Sequence, residues 1–470
     1  MQASSNSSPR NDAPDATPTP PASPIDNRQL LRQVVLLALP ILIGSGVQTC
    51  YHLINMFWVG RLGADAIAVV SISYPINLLI IALGTGLSLA ASILISQYFG
   101  ARDTASIDHV VAQSLLAVAV CALVLIVIGV IFAPDILHFM GVASSYVDDA
   151  IAYIRVSFFS TLFMFLSIWF QSILRGLGQA KAPLRIIMAS VVINAALDPL
   201  LIFGAGPLPA LGVTGAAWAT LITQAITAVA GIRLMLRPAF GLHLAATALR
   251  PDPALIARLF RLGIPASIEQ SVQALFLSVM TILVAKFGTI ALAAYGVVFR
   301  VLTVTIIPSY SLCVAVAILV GQYKGAGEPQ KSQQVARVTA LFGFAAMSLV
   351  GLIFLLGARP VVGFFVPGDA QLLEHGTLAL QIFALSFPLS AVQMVFTGVF
   401  RGAGATFSSM LLTLVGTWGI QLPLALALGY SPLGEAGLWW SGSVAALINT
   451  TIALLYFRTG RWDRAKLVAA

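Results

Sequence analysis

Charge is scarce in this sequence. Only 9% of its 470 residues are Asp, Glu, Lys or Arg, whereas a soluble globular protein carries about 25%. Hydrophobic residues make up 59% of the chain, and the mean hydropathy is +0.95. A chain with so few charges cannot expose most of its surface to water. We therefore predict an all-α protein that crosses a membrane many times.

The sequence also lacks the residue groups that many enzymes, ATPases and metal sites need. Its three cysteines (Cys50, Cys121 and Cys313) lie in apolar runs and its five histidines are scattered, so neither a disulfide nor a metal site is expected. No phosphate-binding P-loop pattern occurs. The single acidic doublet, Asp148-Asp149, has no second acidic cluster to face it. We expect a protein that is not an enzyme and needs no cofactor.

The chain contains one unit twice. Pro40 aligns with Pro265 at an offset of 225 residues (265 minus 40), and the alignment runs without a gap to residues 101 and 326. The matches include Pro, Gln, Tyr and Gly, which seldom match by chance in apolar sequence. Further along, residues 175–178 (Arg-Gly-Leu-Gly) match residues 401–404 (Arg-Gly-Ala-Gly). We interpret this pattern as an internal duplication.

Apolar runs long enough to cross a bilayer core of about 30 Å recur in both repeats. Six lie in each repeat, at about 34–59, 66–97, 108–133, 150–173, 183–203 and 213–235, and at about 260–285, 290–322, 333–357, 376–400, 407–428 and 436–457. The prediction is twelve transmembrane helices in two six-helix lobes. Because each repeat has an even number of spans, the lobes share one orientation and are related by a pseudo-two-fold axis along the membrane normal.

The distribution of basic residues predicts which side each loop faces. With the N-terminus inside, twenty of the 25 Lys and Arg residues lie on the inner side, three on the outer side, and Arg155 and Arg300 within spans. This bias predicts a multi-pass protein of the cell inner membrane with both termini in the cytoplasm. The net charge of +8 sits at helix ends rather than in a patch, so we expect no nucleic-acid partner.

Composition divides the chain into five segments. They are a disordered tail (1–27), an N-lobe (28–235), a cytoplasmic linker (236–259), a C-lobe (260–457) and a basic cytoplasmic tail (458–470). The linker is expected to include a surface-lying helix near residues 253–261.

Ionisable residues at membrane depth are candidates for function because each costs about 2.5–3.5 kcal/mol to insert. Asp198 lies four residues after Asn194, so the two share a helix face, and Pro199 frees a nearby backbone carbonyl. Asn55 and Thr220 lie at a similar depth in their spans. These groups predict a site for H⁺ or Na⁺. The alternative is a protonated acid that only ties helices together.

Three further sets of polar residues lie within the predicted spans. Glu269 falls one to two turns after Pro265, and the first repeat has Gly44 at the equivalent position (269 minus 225). It is either a proton-carrying acid or an ion-pair partner of Arg300. Gln48 and Gln273 occupy equivalent positions in the two repeats, and we favour interhelical hydrogen bonds over cavity lining for both. Together with Arg300 they are the candidates for a substrate cavity.

These motifs together resemble the multidrug and toxic compound extrusion (MATE) family of antiporters. The resemblance covers about residues 30–460 and rests on these segments: Pro40 with 59–63 (Val-Gly-Arg-Leu-Gly), 97–101 (Gln-Tyr-Phe-Gly-Ala), 175–179 (Arg-Gly-Leu-Gly-Gln), 194–199 (Asn-Ala-Ala-Leu-Asp-Pro) and 212–220 (Gly-Val-Thr-Gly-Ala-Ala-Trp-Ala-Thr). It implies a secondary antiporter that exports lipophilic, cationic organic compounds in exchange for H⁺ or Na⁺.

The resemblance also implies roles for individual residues. Asn194, Asp198 and Thr220 match a first-lobe cation site whose fourth member is an Asp, here replaced by Asn55. Glu269 resembles the span-7 Glu of another subgroup, whose span-10 Asp is replaced here by Ser390. With one carboxyl in the first-lobe site, we predict H⁺ coupling, with Na⁺ as the alternative.

The expected partners are small organic substrates and membrane lipid, and we expect the chain to act as a monomer. One alternative function is a lipid-linked precursor flippase of the same superfamily. Flippases that carry peptidoglycan precursors usually show about fourteen spans and a cation-rich cavity. The twelve spans and few basic residues at depth here favour the antiporter.

Overall fold

The computed structural model describes residues 26–140, 147–204, 209–242, 250–366 and 368–464. The helices in this part of the chain are α1 (Asn27–Gly60), α2 (Ala64–Gly100), α3 (Thr104–Phe139), α4 (Val147–Gly176), α5 (Lys181–Phe203), α6 (Gly212–Met235), α7 (Pro253–Ala285), α8 (Thr289–Gly325), α9 (Pro329–Phe365), α10 (Ala370–Ala384), α11 (Phe387–Gly402), α12 (Thr406–Leu414), α13 (Leu422–Gly429) and α14 (Glu435–Arg458). Residues 1–25 and 465–470 of the predicted tails, and 243–249 of the linker, lie outside the described residues.

Local sequence signals fix many helix ends. Asp side chains cap the first turns of α1, α3, α7 and α10 by accepting backbone N–H groups. Gly63 and Gly288 precede α2 and α8 with φ of 111° and 106°, which only glycine adopts without strain. These two glycines match in the repeat because both lobes need the same tight turn at this point.

Ten of the described helices, together with the continuous run Thr406–Gly429 that contains α12 and α13, are long and apolar enough to cross a membrane, which gives eleven spans, or twelve if α10 and α11 form one span. These two helices are bent by 46° where the sequence predicted one span at 376–400. Pro388 follows the break, and it lacks the N–H that would continue the helical bonding of α10. The predicted span at 407–428 consists of α12, a π-helical segment at Val415–Gln421 and α13.

The first helix of each repeat begins in the core of the other lobe. Leu30 and Val34 of α1 belong to a core formed with α8, α9, α11 and α14. Leu255 and Leu259 of α7 belong to the core of α2, α3 and α4. The two pairs are equivalent at the offset of 225 (255 minus 30, 259 minus 34). Each lobe therefore stabilises the start of its partner's first helix, as a two-fold relation requires.

This exchange changes one prediction about the linker. α7 already begins at Pro253, so the separate surface-lying helix expected near residues 253–261 is wrong. The segment forms the first turns of α7, because its apolar side chains find a core in the N-lobe. Gln113 of α3 fixes the start of α7 by donating to Arg250 O at 2.7 Å and accepting from Asp252 N at 2.9 Å. A hydrogen bond with His109 holds the pKa of Asp252 below its usual range.

The lobes meet closely at one end of the bundle. We call this the inner end, where α1 begins and α14 ends, and the opposite end the outer end. Gln97 Nε2 donates to Gly402 O at 2.9 Å, and its repeat equivalent Gln322 donates to Gly176 O at 3.2 Å. Gly100 and Gly325 lie against the backbone at residues 322 and 97, where a Cβ atom has no room. The inner end is therefore closed by reciprocal contacts.

Candidate functional site

The strongest candidate site surrounds Asp198 on α5. Asp198 and Asn194 are buried, with 0% and 1% of their surface exposed. Asn194 Nδ2 donates to Asp198 Oδ1 at 3.3 Å, and Asn55 Nδ2 of α1 donates to Asp198 Oδ2 at 3.5 Å. The spacing of four residues places Asn194 and Asp198 on one face of α5, and α1 packs against that face. Three residues of the predicted set thus meet directly.

Thr220 joins this site through a tyrosine. Tyr51 of α1 donates its hydroxyl to Thr220 Oγ1 of α6 at 3.2 Å. Tyr51 lies one helical turn before Asn55, so this hydrogen bond ties Thr220 to the face of α1 that carries Asn55. The sequence prediction missed Tyr51, although this spacing could have shown it.

No cation pairs with Asp198 within the part of the chain that the structure describes. A buried carboxylate without a counter-ion is costly, and two amide hydrogen bonds offset only part of that cost. The Asn194 Oδ1 atom is also buried and without a partner among the described residues. The Asp198 carboxylate is therefore suited to take up a proton or a small cation and to release it again when another positive charge takes its place.

Glu269 on α7 is surrounded by a different set of groups. Ser409 Oγ donates to its carboxylate at 3.0 and 3.2 Å, and Thr413 Oγ1 donates at 2.7 Å. Arg401 Nη2 of α11 forms an ion pair with Glu269 Oε2 at 3.0 Å. The side chains of Glu269 and Arg401 are only 4% and 11% exposed. This carboxylate therefore has a counter-ion within the chain and contacts from two hydroxyl groups.

The ion pair corrects the partner expected from sequence. Arg300, named as the alternative partner of Glu269, is exposed, and Arg401 occupies that role. The sequence predicts Arg401 among the basic residues of the inner side, because it lies between the predicted spans at 376–400 and 407–428. Its position one residue before the end of α11 lets the side chain extend back into the bundle. Ser390 of α11 does not contact Glu269 through any described hydrogen bond.

The cavities between the lobes, in the part of the chain that the structure describes, include one of about 750 Å³ at the inner end, against the start of α1 and the ends of α2 and α8. Two others contain predicted polar residues, and we call them the larger and the smaller cavity. The larger, about 670 Å³, is lined by residues 74–85 of α2, 270–281 of α7 and 292–310 of α8. The smaller, about 320 Å³, lies between α1, α4, α5 and α8. Gln273 lines the larger cavity and Gln48 the smaller one. Arg300 is absent from the lining of both, and no described interhelical hydrogen bond involves either glutamine.

Comparison with known proteins gives the family. A profile of the MatE family matches residues 40–200 and 265–427, which together are more than half of the chain and fall in the two repeats. This chain belongs to the MATE family of transporters. The two matched ranges begin at the repeated prolines, as the offset of 225 residues predicted.

Relatives of this MATE protein span nearly its whole length. A probable multidrug resistance protein of Bacillus subtilis, YoeA, is 30% identical over 91% of this chain and 93% of the relative. The multidrug export protein MepA of Staphylococcus saprophyticus is 24% identical over 92% of this chain and 94% of its own length.

Solved MATE structures share the fold. An outward-facing multidrug resistance MATE transporter superposes with a TM-score of 0.86 at 24% identity, covering 93% of this chain and 98% of that one. A Vibrio cholerae MATE transporter gives 0.87 at 20% identity, covering 93% and 98%. The predicted twelve-helix, two-lobe architecture is confirmed.

Proposed function

We propose that this MATE protein is a secondary antiporter that exports lipophilic, cationic organic compounds, with H⁺ as the coupling ion and Asp198 as its carrier. The observation that carries the proposal is the burial of Asp198 without a counter-ion among the described residues. Such a group is neutralised by binding an ion from solution, which is the step that an antiporter must couple to export.

The single carboxyl group supports H⁺ rather than Na⁺. One proton neutralises one carboxylate, whereas two nearby carboxylates repel each other and favour a metal cation. Asn55 stands where the family pattern has a second acid, and its amide hydrogen-bonds to Asp198 instead of adding charge. The proton would supply about 1.4 kcal/mol per pH unit. A net charge crossing the membrane would add about 2.3 kcal/mol per 100 mV.

The larger cavity supports an aromatic or lipophilic cation as cargo. It is lined by apolar and neutral polar residues, including Tyr74, Tyr295, Phe299 and Tyr310. Aromatic faces attract cations by about 0.5–2 kcal/mol each. The volume of about 670 Å³ lies in the range of about 300–1,000 Å³ that is usual for sites of small organic ligands.

The basic residues support an orientation with the inner end in the cytoplasm of a bacterial-type inner membrane. The close contacts between the lobes lie in the inner halves of α2, α7 and α8, whereas the larger cavity lies toward the outer end. A cation bound in this cavity would therefore be shielded from the inner side.

The experiment is efflux of a cationic dye, tetramethylrhodamine methyl ester, from proteoliposomes that contain the purified chain. We expect efflux when a pH gradient is imposed at equal Na⁺ on both sides. Empty liposomes and the Asp198→Asn variant are the controls. Efflux that runs on a Na⁺ gradient alone, at equal pH, would overturn H⁺ coupling. No efflux under either gradient would overturn the export of cations.

A further inference from the structure

The cavity of about 750 Å³ at the inner end, which we call the inner-end cavity, has a lining that is polar in one part and apolar in another. The polar part includes Gln33 of α1, Arg102 of the turn between α2 and α3, and Thr104 of α3. The apolar part includes Leu36 and Phe99, which expose 50% and 45% of their surface. Such a lining is suited to a ligand with one charged end and one apolar end.

The positive charge of Arg102 is not compensated. Arg102 is exposed, and neither an ion pair nor a hydrogen bond of its guanidinium is found within the described residues. Glu328, which also lines the cavity, forms an ion pair with Lys331 at 2.6 Å instead. By contrast, Lys324 near the end of α8 pairs with Asp463 at 3.2 Å. The inner-end cavity therefore offers free guanidinium donors to an anion.

The backbone of Arg102 is strained. Its φ of 59° lies in the left-handed region, and it is the one non-glycine residue with positive φ in the described part of the chain. The equivalent residue of the second repeat is Gly327 (327 minus 225), whose φ of 73° costs a glycine nothing. Both repeats make the same turn, but the first makes it with strain that a glycine would relieve. An outlier of this kind points to a function for the side chain.

The inner-end cavity lies at the level of a membrane surface. The apolar run of α2 ends at about residue 97, five residues before Arg102 (102 minus 97). At about 1.5 Å per residue, Arg102 lies roughly 7 Å beyond the apolar run, and the headgroup layer on each side of a bilayer is about 5–8 Å thick. Leu36 lies within the apolar run of α1, which begins at about residue 34. Arg102 is thus at the depth of lipid headgroups, and Leu36 is at the depth of acyl chains.

We propose that the inner-end cavity binds an anionic phospholipid of the adjacent leaflet, with its phosphate at Arg102 and an acyl chain against Leu36 and Phe99. A guanidinium binds phosphate through charge-assisted, bidentate hydrogen bonds. Thr104 is the first residue of α3, and the N-terminus of this helix adds to the attraction for an anion. A free phosphate ion would match Arg102 but would gain nothing from the apolar lining, so the lining favours a lipid.

A lipid at this site would contact both lobes. The cavity lining comes from α1, α2 and α3 of the N-lobe and from α8 of the C-lobe, where Tyr323 donates to Gln33 Oε1 at 2.7 Å. Because a ligand that binds the folded chain alone raises its thermal stability, occupancy of the site can be measured without any transport. The inference goes beyond the proposed function, since it depends on neither the coupling ion nor the exported compound.

The test compares phosphatidylglycerol with phosphatidylcholine of identical acyl chains, each titrated into the purified full-length chain in detergent micelles. The rise in the midpoint of thermal unfolding with lipid concentration measures the affinity. We expect tighter binding of phosphatidylglycerol, because the choline group compensates the phosphate charge of the other lipid. Inorganic phosphate should have no comparable effect. Equal affinities for the two lipids, or stabilisation by inorganic phosphate alone, would overturn the lipid site.

Arg102→Gly gives the turn the residue that the second repeat has. Without added lipid, this variant should unfold at the same temperature as the wild type or above it, because the backbone strain is relieved. Its affinity for phosphatidylglycerol should fall about fivefold, as the loss of one basic residue at an anionic surface predicts. Arg102→Asn removes the same charge with a side chain that tolerates the left-handed conformation. An unchanged affinity in these variants would refute the role of Arg102.

Arg458→Gln is the matched control. Arg458 is an exposed arginine at the inner end that does not line the inner-end cavity. This variant should keep the preference of the wild type for phosphatidylglycerol. An equal loss in Arg458→Gln and Arg102→Gly would show that the lipid responds to the overall charge of the inner end, and would contradict a site in the cavity. Either result leaves the efflux experiment as a separate test of antiport.

Discussion

The two lobes are repeats of one sequence unit, but their buried acids have different partners. In the N-lobe, Asp198 is held by two amides and has no cation beside it among the described residues. In the C-lobe, Glu269 has the guanidinium of Arg401 and two hydroxyl side chains. The first arrangement leaves a charge to be neutralised from solution, and the second neutralises it within the chain. We therefore propose ion exchange for the N-lobe and a structural role for the C-lobe pair.

The comparison also shows that equivalent residues of the two repeats have different partners. Arg175 and Arg401 are equivalent, yet among the described residues Arg401 alone of the two has an acid partner. The acid at position 269 forms an ion pair with Arg401, whereas Gly44 at the equivalent N-lobe position lines a cavity together with Arg175. A buried ion pair gains little net stability, but removal of one partner is costly. The ion pair consequently constrains Glu269 and Arg401, whereas the N-lobe has a cavity at the equivalent positions.

The largest effect is expected at Asp198. Asp198→Asn fills the same volume but cannot exchange a proton, so gradient-driven dye efflux should be abolished while the protein stays folded and inserted. Efflux from proteoliposomes and elution from a sizing column measure the two properties. A folded variant with normal efflux would show that Asp198 only ties helices together. The buried acids of the two lobes would then both have a structural role.

The next effect is on stability. Arg401→Met leaves the Glu269 carboxylate buried without its counter-ion, which should cost about 3–5 kcal/mol of folding free energy. Arg175→Met should cost less, because no described carboxylate depends on it. The measurement is thermal unfolding of the purified variants. Adding Glu269→Gln to Arg401→Met should restore much of the loss. Equal destabilisation by Arg401→Met and Arg175→Met would show that the ion pair is not what separates the lobes.

A subtler change is expected at Asn55. Asn55→Asp introduces the acid that the family resemblance implies at this position and places a second carboxylate beside Asp198, and the repulsion between the two favours a bound metal cation. Efflux by this variant should become sensitive to Na⁺ at constant pH, whereas wild-type efflux should not. Replacing Na⁺ by choline in the assay buffer is the check. A variant indifferent to Na⁺ would mean that the charge count at Asp198 does not select the ion.

The smallest effect concerns a contact that the lobes share. Gln97→Ala and Gln322→Ala each remove one hydrogen bond across the inner end, worth about 1 kcal/mol. Because the two bonds are related by the repeat, their effects on thermal unfolding should be similar. Removing both should add to the single effects if the contacts are independent. Strongly unequal single effects would show that closure of the inner end is not symmetric.

Much of this architecture follows from the sequence because hydropathy and duplication are strong, long-range signals. The meeting of Asn55, Asn194 and Asp198 could be predicted because helical spacing and depth constrain each residue separately. The ion-pair partner of Glu269 could not be predicted from the sequence. A basic residue near the end of a span fits the positive-inside rule whether its side chain extends into solvent or turns back into the helix bundle. Only the packing of the neighbouring helices decides between these two orientations. The burial of Leu30 and Leu255 in opposite lobes is likewise a tertiary outcome that periodicity does not encode.

The most direct test of the central claim is infrared difference spectroscopy of the purified protein across a pH titration. A protonated carboxyl group has a C=O stretching band that disappears on ionisation. We predict such a titrating band in the wild type and in Glu269→Gln, and its loss in Asp198→Asn. Retention of the band in Asp198→Asn together with its loss in Glu269→Gln would place the exchangeable proton in the C-lobe and contradict the account.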